Sequence, residues 1–123
     1  MGPGDEVIAP AFTFIATATG ISRLGAKPVF VDVERGGFQM DPAKLDAAIT
    51  ERTRAIVAVH LLGNACDMEG LLQVAGGRRI PVVEDCAQAL GAEYKSVKAG
   101  SMGNAGCLSF FPSKNLGAYG DGG

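Results

Sequence analysis

Four apolar runs, each followed by a stretch with the length and residue types of a helix or a turn, set what this chain can become. Glu6 to Ala9 is short, apolar and ended by Pro10. Pro28 to Val33 is rich in β-branched residues, which suits a strand buried on both faces. Ala55 to His60 is a third such run, and Ile80 to Asp85 is a fourth that finishes on two carboxylates. Between them, Ala11 to Leu24 reads as a helix stopped by Gly25. Asp41 followed by Pro42 opens a second helix, with Leu45, Ala48 and Ile49 on one face. Asp67 opens a third, running through Ala75 to a stop at Gly76 and Gly77. This alternation is βαβ wiring, so the expected fold class is α/β: a mainly parallel sheet with helices on both faces. Gly91 to Gly106 breaks the pattern and reads as a small hairpin, after which Cys107 to Phe111 forms a further strand.

Open parallel sheets bind ligands at the carboxyl ends of their strands. His60, Asp85 and the turn from Ser109 to Lys114 all follow strands and so can meet there, although they lie far apart in sequence. Lys114 sits between Pro112 and the glycines Gly117, Gly120, Gly122 and Gly123. Glycine-dense backbone lets a chain approach a bound group closely, which suits a lysine meant to react rather than one solvated on a surface. Asp85 closes an apolar strand, where a carboxylate is costly to desolvate unless a cation or hydrogen-bond donor meets it. A pyridinium N–H, a lysine ammonium, a helix cap or an ordinary ion pair would each serve. Gln88, three residues on, can reach the same pocket. The Ser109 hydroxyl can bond a phosphate or simply its own backbone, and Phe12 and Phe14 can stack on a planar ring or fill core.

Several chemistries lack their signatures. No Gly-x-Ser-x-Gly elbow accompanies the sole histidine, so His60 reads as a satisfied strand-end residue rather than a catalytic base. The glycine runs match neither a Walker loop nor Gly-x-Gly-x-x-Gly between a strand and a helix. A net charge of −2, with no block of like charge longer than a pair, is not built to neutralise a phosphate backbone. There is no charged-then-apolar leader and no apolar run of bilayer length, so no membrane partner is expected. Cys66, Cys86 and Cys107 read as buried small hydrophobes in a reducing cytoplasm.

An ordered set of motifs adds to this reading: Gly4-Asp5-Glu6-Val7-Ile8 with Pro10 and Thr13-Phe14; Gly25-Ala26 with Pro28 to Asp32; His60-Leu61 and Gly63; Asp67-Met68; Val83-Glu84-Asp85-Cys86-Ala87-Gln88-Ala89; Gly91-Ala92; Gly103 to Gly106; and Ser109-Phe110 through Lys114-Asn115-Leu116-Gly117. In that order they resemble the DegT/DnrJ/EryC1/StrS family of sugar aminotransferases dependent on pyridoxal 5′-phosphate (PLP). The resemblance runs almost the whole chain. It implies the type I aminotransferase fold, of which residues 1–123 would be part of the large domain, with an N-terminal segment and a small C-terminal domain outside it. It also implies a Schiff base between Lys114 and the cofactor, Asp85 on the pyridine nitrogen, Gln88 on the ring hydroxyl, Ser109 on the phosphate and Phe14 stacked on the ring. The implied reaction moves an amino group from glutamate or glutamine to a keto nucleotide-sugar, in a cytoplasmic homodimer with no metal and no nucleic acid. Having lysine at 114 argues against the branch of dehydratases that carries histidine there. Two rival readings are a PLP-binding regulator without transaminase activity and a nicotinamide-binding domain. The second lacks the glycine-rich turn it needs after the first strand, where Ala9-Pro10-Ala11 stands. Residues 1–123 alone are expected to be inactive.

Overall fold

A computed structural model describes residues 1–123. Strand β1 (Glu6–Pro10) leads into helix α1 (Ile15–Arg23), then β2 (Lys27–Val31), α2 (Pro42–Ala48), β3 (Thr53–Val59) and a single 3-10 turn at Leu61–Gly63. Helix α3 (Met68–Arg78), β4 (Val82–Asp85), the hairpin β5 (Glu93–Tyr94) and β6 (Val97–Lys98), and β7 (Ala105–Cys107) complete the order. The main sheet runs β2-β1-β3-β4-β7 with every pair parallel. The expected α/β architecture is therefore present, including the hairpin before the last strand.

Strand alternation divides the side chains between two layers. Ile8, Ile56, Ala58 and Val82 point to the side where α2 and α3 pack, with Leu45, Met68 and Leu71 filling that core. Val7, Ala9 and Ala55 point to the other side, where α1 contributes Ile21. Helices thus cover both faces, two on one and one on the other.

Four departures from expectation have a physical reason in the structure. Helix α1 begins at Ile15 rather than Ala11, because the Ala11 N–H is still taken by Val31 O at 2.8 Å, on the neighbouring strand. Strand β2 is not buried on both faces: it is a sheet edge, and Phe30 is half exposed. Helix α3 does not stop at Gly76 and Gly77 but runs through both to Arg78. Glycine inside a helix costs only about 1 kcal/mol, and the stop is made by Arg79 in left-handed conformation (φ 57°), with the Ile80 N–H bonded to Ala75 O. The last strand ends at Cys107 rather than starting there. Its neighbour β4 ends at Asp85, whose register partner is Cys107, so Leu108 to Phe111 have no strand to pair with. The expected capping by Asp41 is seen, its side chain accepting from the Ala43 N–H at 3.0 Å.

The α2/α3 face also carries the most heavily bonded side chain of the chain. Glu84 is fully buried, and its carboxylate accepts from the backbone N–H groups of Gly100 (2.7 Å), Met102 (2.7 Å) and Gly103 (2.6 Å). A fourth donor is His60 Nε2, at 2.9 Å. His60 Nδ1 accepts from the Cys66 N–H at 3.0 Å, which leaves its proton on Nε2, directed at Glu84. Burial acts to raise the Glu84 carboxyl, but the hydrogen bonds from Gly103, Gly100, His60 and Met102 outweigh it and hold it below the usual carboxylate range. The loop 100–103 reaches Glu84 only because position 106 is glycine. A Cβ there would stand 2.2 Å from Gly100 O.

Two outcomes follow for the intact protein. Gly106→Ala should lower unfolding free energy by about 2–4 kcal/mol in urea titration, by forcing the loop off the strand. The Glu84 contribution is present above its unfolded value, near 4.5, and is lost as pH falls through the depressed folded value. Acid unfolding of Glu84→Gln, read by circular dichroism, should accordingly show a shallower loss of stability below pH 4.5 than the wild type.

Candidate active site

Because side chains alternate along a strand, adjacent Glu84 and Asp85 leave β4 on opposite faces. Glu84 joins the interior beside α2 and α3, whereas Asp85 faces the α1 side. His60, two residues beyond Ala58 in the same alternation, goes with Glu84 and away from Asp85. The three strand ends are neighbours, but His60 does not join Asp85, consistent with a satisfied structural histidine.

On the α1 side lies a cavity of about 1090 Å³. Asp85, Gln88, Phe14, Ser109 and Lys114 all line it. Residues brought from β4, the turn after it, the start of α1 and the C-terminal segment thus meet around one space. Phe12 does not take part. It packs on Phe38 instead, with ring centroids 5.6 Å apart.

Asp85 is half-buried and oriented at both oxygens. Oδ1 accepts from the Ala87 N–H at 3.1 Å, and Oδ2 accepts from the Thr17 hydroxyl at 3.1 Å. It forms no ion pair within the chain. A carboxylate has about four lone-pair positions, so capacity for a further donor from the cavity remains. Gln88 Oε1 accepts from the Leu62 N–H at 3.0 Å, and that bond frees the Gln88 NH2 to donate elsewhere. Leu62 stands in left-handed conformation (φ 57°) at this contact.

Lys114 is presented by a tight turn, with its N–H bonded to Phe111 O at 2.8 Å. The segment beyond folds back on the turn, Ala118 N–H donating to Phe110 O and Phe110 N–H to Gly122 O. That return passes so close that a Cβ at Gly117 would lie 2.3 Å from Pro112 O. Lys27, Lys44, Lys95 and Lys98 each pair with a carboxylate, and Lys114 does not. Ser109 Oγ accepts from the Phe111 N–H at 3.3 Å and keeps its own O–H to donate.

A scan against protein-family models matches the DegT/DnrJ/EryC1/StrS aminotransferase family over residues 1–123. The chain belongs to this family. It is 56% identical over its whole length to a pleiotropic regulatory protein of Geobacillus stearothermophilus, covering 33% of that protein. Identity is also 56%, with the same coverage, to a UDP-N-acetyl-3-dehydro-alpha-D-glucosamine 3-aminotransferase of Acidithiobacillus ferrooxidans. Among solved structures, the sugar-aminotransferase candidate Spr1654 of Streptococcus pneumoniae, in its PLP form, superposes with a TM-score of 0.90 at 40% identity. That match covers 94% of this chain and 33% of Spr1654. The chain therefore spans about a third of the length of these relatives. Its sheet and helices are those of PLP-dependent aminotransferases.

Two features escaped the sequence reading. Thr17 bonds Asp85 across 68 positions of sequence; the Thr13/Thr17 spacing of four was the only hint, and it means nothing until the strand arrives beside it. Cys107 is exposed rather than buried, because β7 is the far edge of the sheet and its side chain faces the cavity. Cys66 and Cys86 are buried, and burial pushes both thiols up to about 12. In the intact family member, a thiol reagent at mildly alkaline pH should leave Cys66 and Cys86 unmodified until denaturant is added. Peptide mass mapping checks this, and labelling of either in the folded state would contradict the packing.

Proposed function

We propose that the intact protein is a PLP-dependent aminotransferase that moves an amino group from glutamate or glutamine to a keto nucleotide-sugar. One observation carries the reading: the lysine without an ion pair and the carboxylate without a cation line the same cavity. The residues fit the cofactor on their own chemistry. Lys114 offers the amine that would hold its aldehyde carbon, and Asp85 offers an oriented anion for the pyridine N–H. The Gln88 NH2 can donate to the ring oxygen, the Ser109 O–H to a phosphate oxygen, and Phe14 can lie against the ring. When bound, PLP supplies a ring that stabilises negative charge at a carbon losing a proton.

The chain's own residues have separate tasks. Asp85 would keep a proton on the pyridine nitrogen, because an opposite charge at hydrogen-bond range favours the charged form. Lys114 Nζ would hold the group as a nucleophile and, as a free amine, could accept a proton at Nζ and return it to a neighbouring carbon. Apolar walls from Val57, Val83 and Ile21 limit water around these groups.

We also place residues 1–123 within the large cofactor-binding domain of a longer, homodimeric chain. Support comes from the coverage of relatives and from apolar side chains left exposed around the cavity, among them Phe14, Leu24 and Phe111. No helix is long and apolar enough to cross a membrane; the cytoplasmic location is part of the same proposal. A regulator that binds PLP without transamination is the rival, and the regulatory relative gives it a hearing. The aminotransferase relatives, one of them equally similar, favour the enzyme.

The intact protein loaded with PLP should show a visible absorbance that bleaches on adding glutamate or glutamine. Lys114→Ala should abolish that band, and Asp85→Asn should lower kcat by about 100-fold or more. A band that persists unchanged with both amino donors would favour the regulator.

A further inference from the structure

The Asp85 carboxylate is held by more than its own backbone turn. Thr17 Oγ1 stands 3.1 Å from Asp85 Oδ2 and 3.1 Å from Thr13 Oγ1. A hydroxyl has one proton to give, and an ionised carboxylate can only accept. Thr17 therefore donates to Asp85, and its lone pair accepts from Thr13. The direction of the chain is fixed: Thr13 to Thr17 to Asp85. Thr17 lies in the first turn of α1, where the helix dipole also favours a negative group. Thr13 precedes the Phe14 cap of the helix, and its hydroxyl meets that of Thr17 across the helix start.

We propose that Thr17, backed by Thr13, is a positioning residue that aims the Asp85 carboxylate into the cavity. Resting on the cofactor reading above, this adds a residue that touches neither cofactor nor substrate. Without the Thr17 hydroxyl, Asp85 keeps one donor, Ala87 N–H, on Oδ1 only. Oδ2 is then free to rotate away from its ligand, and the anion loses a charge-assisted bond. The other titratable side chains that line the cavity are Cys107 on β7 and Lys114 and Asp121 on the C-terminal segment. Residues from α1, β1 and β3 bring none into it. Met1 reaches its edge with its amino group 4.0 Å from Asp5, and Glu84 faces the opposite side of the sheet. Among these groups, the Thr17 hydroxyl is the side-chain donor bound to Asp85.

The test uses the intact protein with Thr17→Val, which keeps the shape and removes the hydroxyl, Thr17→Ser, which restores it, and Thr13→Val. A hydrogen bond to a charged group corresponds to about a tenfold change or more in an equilibrium constant. Thr17→Val should raise the PLP dissociation constant about tenfold, and Thr17→Ser should bring it back to within about twofold of wild type. Thr13→Val should give a smaller change of the same sign. The melting temperature of the PLP-free protein separates positioning from loss of the fold: it should fall by no more than about 4 °C in Thr17→Val, the cost of one hydrogen bond. A dissociation constant unchanged in Thr17→Val, while Asp85→Asn raises it, would overturn the relay and leave the cofactor reading standing. Equal loss in Thr17→Val and Thr17→Ser would overturn it too, since the hydroxyl would then not be the cause. If Asp85→Asn and Lys114→Ala also leave PLP binding unchanged, the cofactor reading itself fails and takes the relay with it.

Discussion

The buried carboxylate of Glu84 is the fixed point on which the site's geometry depends. An unpartnered anion at that depth would be prohibitively costly, yet three backbone N–H groups and the His60 imidazole surround it. Those same bonds bring the loop 100–103 onto the end of β4. From there the chain enters β7 in parallel register with β4, and the C-terminal segment leaves β7 on the side where Asp85 lies. Glu84 therefore acts on Lys114 at a distance, by deciding where the strand that leads to it begins.

Two adjacent carboxylates thus divide the labour through nothing more than the two-residue period of a strand. The one facing inward is saturated with donors and is structural. Its neighbour has one donor on each oxygen, no counter-ion, and open space before it. The lysine follows the same contrast. Lysines on the outer surface are matched with acids, while Lys114 faces the cavity with none. Cation and anion left unmatched around a shared space are the physical basis for reading it as a site for a bound group rather than as core.

Much of this was legible in the sequence. Apolar runs and their spacing gave the order of strands and helices, and Asp41-Pro42 gave a helix start to the residue. What one dimension hides is lateral position. Val29 and Phe30 look as apolar as Ile56 and Val57, but β2 is an edge strand and β3 is central, so the same composition ends in different burial. Gly76 and Gly77 look like a stop, yet Arg79 makes it, because the local hydrogen-bond pattern of the cap outweighs a modest glycine penalty. Lys114 and Asp85 stood out from their context, whereas Gln88 by itself was a weak signal. Thr17 did not, since its significance depends on a strand formed 68 residues later. Cys107 misled for the same reason as Phe30, an edge position read as interior.

Reduction of the PLP-loaded intact protein with borohydride, followed by peptide mass mapping, addresses the central claim most directly. The account predicts a phosphopyridoxyl adduct on Lys114 at near one equivalent, with Lys27, Lys44, Lys95 and Lys98 unmodified. An adduct spread over those ion-paired lysines, or absent from Lys114, would contradict it.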